Sequence, residues 1–504
     1  MKHDLKRKTP MRHQSMVKMI ASAIVIGLLA GCVVGPDFKR PASPAVATYT
    51  TSPLPDLTAS APTALGGAQR FIAGEGANPQ WWQAFGSAKL DTLIAEALQT
   101  SPTLAGAQAA LRQAQEVYTG QAGLTRYPQV DASLGGQRQR FNPVALGQGG
   151  DAREFSLYDA SVGVHYTFDL AGGNRRALEA LAARSDYQHY QLAGARLTLV
   201  GNIVTTAVTQ ARFLAQLQTS QAILGAQEKQ LELTRERLRL GQAAHSEVLG
   251  LQTEVEKTRA GIPLLLNQLQ QSEHLLAVLA GRPPGAGGLP SFSLQDFTLP
   301  AVLPLIVPSE LVRTRPDIQA AEALLHAANA EYGVAVANLY PQINLSANLG
   351  SQALTTGALF GSGSAIWSLV AQLTQPLFNP GLPAEKRAAL AAFDAAAEHY
   401  QGVVLESLRN VADVLRALEN DAQRLSALSA ADSAAQGSLA SMQHQYRLGA
   451  ASYVQLLIAQ QQAQQTQIDL IEAQAQRLIN SAAFYQAMGG DIDAGLSTAS
   501  QTKR

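Results

Sequence analysis

The sequence predicts a mainly α-helical chain that also lends strands to a membrane β-barrel, and three observations carry that prediction: an internal repeat, alternating apolar segments and two very long helical runs. Ser101-Pro102 and Tyr127-Pro128-Gln129-Val130 return in the same order as Arg315-Pro316 and Tyr340-Pro341-Gln342-Ile343. Further on, Phe168-Asp169-Leu170-Ala171-Gly172 corresponds loosely to Pro376-Leu377-Phe378-Asn379, and Arg239-Leu240-Gly241 to Arg447-Leu448-Gly449. The repeated unit is roughly two hundred residues long, well beyond solenoid repeats. Its two copies occupy 81–282 and 308–490, with a Pro- and Gly-rich linker at 283–307 expected to pack beside the helices at mid-height.

The N-terminus reads as an address. Lys2, Lys6, Arg7, Lys8, Arg12 and Lys18 precede an apolar stretch from Met19 to Ala30 that is short for a membrane span, so residues 1–31 are expected to be a secretory signal. The stretch ends in Leu29-Ala30-Gly31-Cys32, which resembles the lipobox of bacterial lipoproteins. Cys32 is the single cysteine of the chain; the resemblance implies diacylglycerol on its thiol and then an acyl chain on the new amino end, and apart from this covalent lipid no cofactor is expected. Several acyl chains anchor far more firmly than one, at roughly 0.8 kcal/mol per buried methylene. Val33 follows Cys32 where an aspartate would signal inner-membrane retention, so sorting to the outer membrane is expected, with 32–80 as an extended lipidated segment.

Each repeat opens with a helical element, marked by Leu90, Leu93, Ile94, Ala97 and Leu98 in the first copy and Ile318, Ala321, Leu324, Leu325 and Ala328 in the second. Tyr-Pro then stops it. A β-hairpin follows at 128–170 and again at 341–378. Tyr158, Ala160, Val162, Val164, Tyr166 and Phe168 alternate with polar residues, as do Ile343, Leu345, Ala347 and Leu349, while Trp367, Leu369, Ala371 and Leu373 share one side of a fourth strand. The alternation suits membrane strands, apolar toward lipid and polar toward a lumen. Four strands cannot close a barrel and open edges are not tolerated in hydrocarbon, so several chains must share one.

Long helical hairpins come next, at 174–281 and 383–489. A periodic pattern runs from Asn174 to Leu240 and again from Ala384 to Leu448, roughly 100 Å at 1.5 Å per residue. Both runs end in Arg-Leu-Gly, where glycine permits the left-handed turn that reverses the chain. Residues 491–504 form a tail.

Composition closes off several functions. Lysine plus arginine equals aspartate plus glutamate at 38 each, so there is no overall basic field for nucleic acid. The histidines are scattered, no His-Glu-x-x-His occurs, and His245-Ser246-Glu247 is merely contiguous, so no catalytic residue is assigned and no enzyme is expected. Six unclustered methionines give no metal path. Gly285-Ala286-Gly287-Gly288 lacks the Lys-Ser/Thr of a phosphate loop.

Gly35-Pro36-Asp37-Phe38-Lys39-Arg40-Pro41, Trp81-Trp82 with Phe85, and Arg315-Pro316-Asp317-Ile318 leading to Tyr340-Pro341 are together the most specific markers. With them the chain resembles the TolC-like outer-membrane factors, in the lipidated NodT-type branch that serves resistance-nodulation-division efflux pumps. Ala171 and Pro380 depart from the family's usual aromatic and glycine at the strand-to-helix turns. The resemblance implies a homotrimer with a 12-stranded β-barrel continuous with a 12-helix periplasmic α-barrel. It implies a passive exit duct for drugs or other small toxic compounds, partnered by a periplasmic adaptor and an inner-membrane pump. A duct for type I protein secretion is the alternative. Under the resemblance, Asp413 would constrict the channel near the tunnel's inner end; read from its own helix, Asp413 is instead an exposed residue paired with Arg409 and Arg416. Arg239, Leu240 and Gly241, with Arg447, Leu448 and Gly449, would dock the adaptor.

Overall fold

The computed structural model describes residues 33–489 apart from 75, 77 and 148. The expected signal peptide, Cys32 and the tail at 491–504 lie outside the described residues. In chain order the principal elements are β1 (Arg70–Ala73), α1 (Ala88–Thr100), α2 (Pro102–Arg126), β2 (Gln129–Phe141), β3 (Arg153–Phe168), α3 (Gly173–Arg239), α4 (His245–Leu279), β4 (Val302–Leu305), α5 (Pro308–Thr314), α6 (Pro316–Ala337), β5 (Gln342–Ala353), β6 (Ala365–Thr374), α7 (Gly381–Arg447) and α8 (Tyr453–Ala487). The repeat shows in the lengths: α3 and α7 have 67 residues each, and α4 and α8 have 35 each.

The opening helical element of each repeat is two helices rather than the single one that periodicity suggests. The proline disfavours helical geometry in the residue before it. Ser101 accordingly sits at φ −62, ψ 120 between α1 and α2, and Arg315 at φ −77, ψ 125 between α5 and α6.

Contacts divide the chain into two compact units that cut across the repeat. One gathers residues through 40, 112–187 and 322–399; the other gathers 41–111, 188–321 and 400 onward. Each unit draws on both repeats, and in the first the two β-hairpins join edge to edge in a single antiparallel sheet of order β2-β3-β5-β6. Its register aligns the apolar residues of all four strands. One row reads Val130, Val164, Ala347, Leu369 and the next Ala132, Val162, Leu349, Trp367. Polar rows fill the other face, as in Asp131, Gly163, Asn348, Ser368. Within the chain the sheet does not close, and β2 and β6 remain edges.

The second unit holds the main apolar core. Phe85, Leu90, Ile94, Ile203, Phe292 and Phe484 are fully buried, each side chain of this size contributing about 1.5–3 kcal/mol by leaving water. Trp81 stacks on Tyr485 with ring centroids 5.3 Å apart. The 283–307 linker is part of this core through Phe292, Phe297 and Leu303. Its β4 pairs in parallel with β1, Arg70 opposite Val302. Strands of four residues, one containing Pro304, give too short a pattern to read from sequence. A buried cation ties the segment before β1 to α8. Arg477 is 1% exposed and donates to the Leu65 carbonyl at 2.9 Å and the Gly67 carbonyl at 3.0 Å. Burial pushes its pKa down.

Candidate functional site

The Arg-Leu-Gly turns are built alike. At the end of α3, Gly241 takes φ 75 and its N–H bonds to the Leu238 carbonyl at 2.9 Å, while Gln242 N–H reaches back to the Arg237 carbonyl at 2.7 Å. At the end of α7, Gly449 takes the same φ 75, with Gly449 N–H on Tyr446 O at 3.1 Å and Ala450 N–H on Gln445 O at 2.9 Å. These are Schellman turns, which satisfy the orphan carbonyls of a helix end and require a left-handed residue that glycine alone adopts freely. α8 then starts on a capping box in which Ser452 and Gln455 bond reciprocally. The turns leave Leu240 56% and Leu448 70% exposed. Arg239 is tied to Glu236 one turn back, which holds its guanidinium along the helix.

The tips of the two hairpins are joined by a polar relay that the sequence reading missed. Arg237 on α3 donates to the Tyr446 hydroxyl on α7 at 2.9 Å, and that hydroxyl donates to Glu247 on α4 at 3.0 Å. Arg237 also donates to the Gln242 carbonyl at 3.2 Å and lies 5.3 Å from the Tyr446 ring centroid. Beneath the relay, Leu231, Val248, Leu251, Val255 and Tyr453 form a small buried cluster with Tyr446 packed against it. Burial, then the hydrogen bond to Glu247, raises the Tyr446 pKa, and burial pushes Tyr453 up to about 12. The tyrosines therefore keep their protons until strongly alkaline pH. The available signal was Tyr446 itself, an aromatic donor in the turn before Arg447-Leu448-Gly449.

Asp413 lies elsewhere. It sits mid-way along α7 (Gly381–Arg447), with about 50 Å of helix between it and Arg447, so its expected place near the end of the hairpin is corrected. Its carboxylate accepts from Arg409 at 2.5 Å, and Arg409 also binds Glu406. Arg416 does not share it. That guanidinium turns to Glu419 at 2.7 Å and the Ser52 carbonyl at 2.6 Å. Val411, Leu415 and Leu418 of the same helix are buried, so Glu406, Arg409 and Asp413 form an exposed charged ladder beside an apolar stripe.

Among the described residues, no cluster of three or more His, Cys, Asp or Glu could hold a metal ion. A family model described as outer membrane efflux protein matches residues 93–282 and 307–490. The chain is 32% identical over 431 residues to the pyoverdine export outer membrane protein OpmQ of Pseudomonas putida, covering 83% of this chain and 89% of that protein. It is 29% identical over 470 residues to the toluene efflux pump outer membrane protein TtgI of Pseudomonas putida, covering 92% and 96%. The solved structure of the outer-membrane channel OprN superposes with a TM-score of 0.81 at 26% identity, covering 92% of this chain and 100% of that one.

Proposed function

This chain belongs to the outer membrane efflux protein family, and we propose that three copies of it close a twelve-stranded membrane barrel above a twelve-helix periplasmic tunnel, as the exit duct of a tripartite pump. The observation that carries this reading is the sheet. Two apolar rows, Val130-Val164-Ala347-Leu369 and Ala132-Val162-Leu349-Trp367, cross β2, β3, β5 and β6, and among the described residues both outer strands lack a partner within the chain. Hydrocarbon does not tolerate unpaired strand edges, each orphan group costing several kcal/mol. Strands from further copies satisfy both edges at once, and closure leaves the apolar face to lipid and the polar face to a lumen. The protein purified in detergent is expected to sediment as a trimer, and Leu369→Pro in edge strand β6 is expected to leave mostly monomers, because proline removes an N–H from the strand. A wild-type protein that sediments as a stable monomer would contradict the shared barrel.

Cargo follows from the duct's chemistry. Two relatives are named for pyoverdine export and toluene efflux, molecules with little in common, and a wide channel fits both if selection lies with the pump. We take drugs and other small toxic compounds as the cargo here, delivered through a periplasmic adaptor that docks on Leu240 and Leu448. The charged ladder Glu406, Arg409, Asp413 is proposed to line the tunnel mid-way. In a trimer it carries three net negative charges, one per copy, and so favours cations. Asp413→Ala is expected to lower cation preference and raise single-channel conductance in planar bilayers. Selectivity and current unchanged at several salt concentrations would make Asp413 a surface ion pair only.

A further inference from the structure

The first described residues of the chain do not trail free; they lie in a seat built by α3 and α6. Arg176 on α3, 3% exposed, donates to the carbonyls of Val34 at 3.4 Å and Gly35 at 3.2 Å and to the Asp37 carboxylate at 2.7 Å. On α6, Asn329 donates to the Pro36 carbonyl at 3.1 Å, and the His326 ring stacks on Phe38 with centroids 4.3 Å apart and planes 17° from parallel. Glu179 joins the two walls, bonding Arg176 and His326 each at 2.8 Å. Glu322 receives Arg40 at 2.6 Å. The fit leaves no room for side chains at three glycines: a Cβ on Gly35 would meet the Gly333 backbone at 2.8 Å, one on Gly333 would meet Arg176 at 2.9 Å, and one on Gly172 would meet Val33 at 2.9 Å.

We propose that Arg176, Glu179, His326, Asn329 and Gly333 form a dedicated binding site for this chain's own segment Val34–Arg40, which fixes the lipid-bearing end of the chain at the turn between β3 and α3. The place is set by a backbone bond. Val34 N–H donates to the Ala171 carbonyl at 3.0 Å, between the last residue of β3, Phe168, and the first of α3, Gly173. Val33 packs on Gly172 at the same turn, so the first described residue, one position after the expected lipid site, lies where β3 ends and α3 begins. The lipid part of this inference rests on the proposed acylation of Cys32; the seat does not. The site is also specific to one repeat. Counted from the first residues of the matching helices α3 and α7, Arg176 and Glu179 correspond to Ala384 and Arg387, which reproduce neither the carbonyl donor nor the histidine partner. Among the described residues, the matching positions of the second repeat therefore do not rebuild the seat.

Trypsin reads the seat directly, because Lys39 precedes Arg40 while the Arg40–Pro41 bond resists it. In the full-length trimer, cleavage after Lys39 is expected to be slow, and at least tenfold faster in Arg176→Met. Phe38→Ala alters the segment and leaves the seat intact, so a several-fold increase there excludes misfolding of the helices as the cause. Acyl labelling is measured in the same samples and is expected to be unchanged in both variants and lost in Cys32→Ala, whose protection at Lys39 should persist. Protection that survives both Arg176→Met and Phe38→Ala would overturn the proposal, as would protection that vanishes with the lipid, since the acyl chains rather than the seat would then hold the segment. Wild-type protein that takes up no label yet resists trypsin would remove the acylation and keep the seat.

Discussion

Replacing both Leu240 and Leu448 with aspartate is expected to reduce drug resistance to the level of a strain lacking the duct, while trimers assemble as before. The two leucines are the apolar points of the tips, 56% and 70% exposed, so neither change touches the core. The local cost is an acidic group next to a helix C-terminus, about 0.3–1 kcal/mol per site. An apolar contact feels the change far more. Each docked leucine contributes roughly 1.5–3 kcal/mol, and a carboxylate forced into the same place must also lose water. With two tips in each of three copies, adaptor binding should fall by more than about a hundredfold, since about 2.7 kcal/mol suffices for that factor. Cross-linking to the adaptor in cells and minimal inhibitory concentrations should drop together, and Leu240→Met with Leu448→Met should retain both. Normal cross-linking with full resistance in the aspartate pair would place docking elsewhere.

Much of this architecture was written in periodicities that a single chain displays. Period two in Tyr158 to Phe168 and Ile343 to Leu349 marks strands, and the structure pairs those residues face to face. The end of each long helix was legible because glycine after Arg-Leu has one conformational use. What escaped has physical reasons too. Contacts between distant segments leave no local signature, so nothing in the sequence joins Arg176 to Asp37 or Arg237 to Tyr446. The split of the opening helices lies in the Ser101-Pro102 and Arg315-Pro316 dipeptides, where proline disfavours helical geometry in the residue before it although the apolar period runs on. The depth of Asp413 along its helix escaped because a motif fixes a face and says little about position along the axis. The relative burial of Leu415 and exposure of Asp413 followed from spacing; the 50 Å or so between Asp413 and the tip followed from where the helix ends.

The tips themselves are expected to loosen when the relay between them is cut. Tyr446→Phe keeps the ring against the small cluster of Leu231, Val248, Leu251, Val255 and Tyr453 and deletes only the hydroxyl. Two hydrogen bonds go with it, one from Arg237 at 2.9 Å and one to Glu247 at 3.0 Å. Bonds to charged groups contribute about 1.5–3 kcal/mol each, but these tips are wet and water replaces part of the loss, so a net effect near 1.5 kcal/mol is the sensible expectation. That is about a tenfold shift between joined and separated hairpins. Ion flow through purified trimers in planar bilayers should rise, and protease access at the tips should rise with it. The wild-type relay should weaken in the same direction with alkali. The pKa of Tyr446 is raised on folding, chiefly by burial and then by Glu247, so the contribution of the neutral hydroxyl is complete below the ordinary tyrosine value of 10.0 and disappears as pH climbs through the higher folded value. Tyr446→Phe should abolish this alkaline component while leaving any change due to other groups. Identical conductance and protease access in the two proteins, with the alkaline rise intact in Tyr446→Phe, would show that the apolar cluster alone holds the hairpins together.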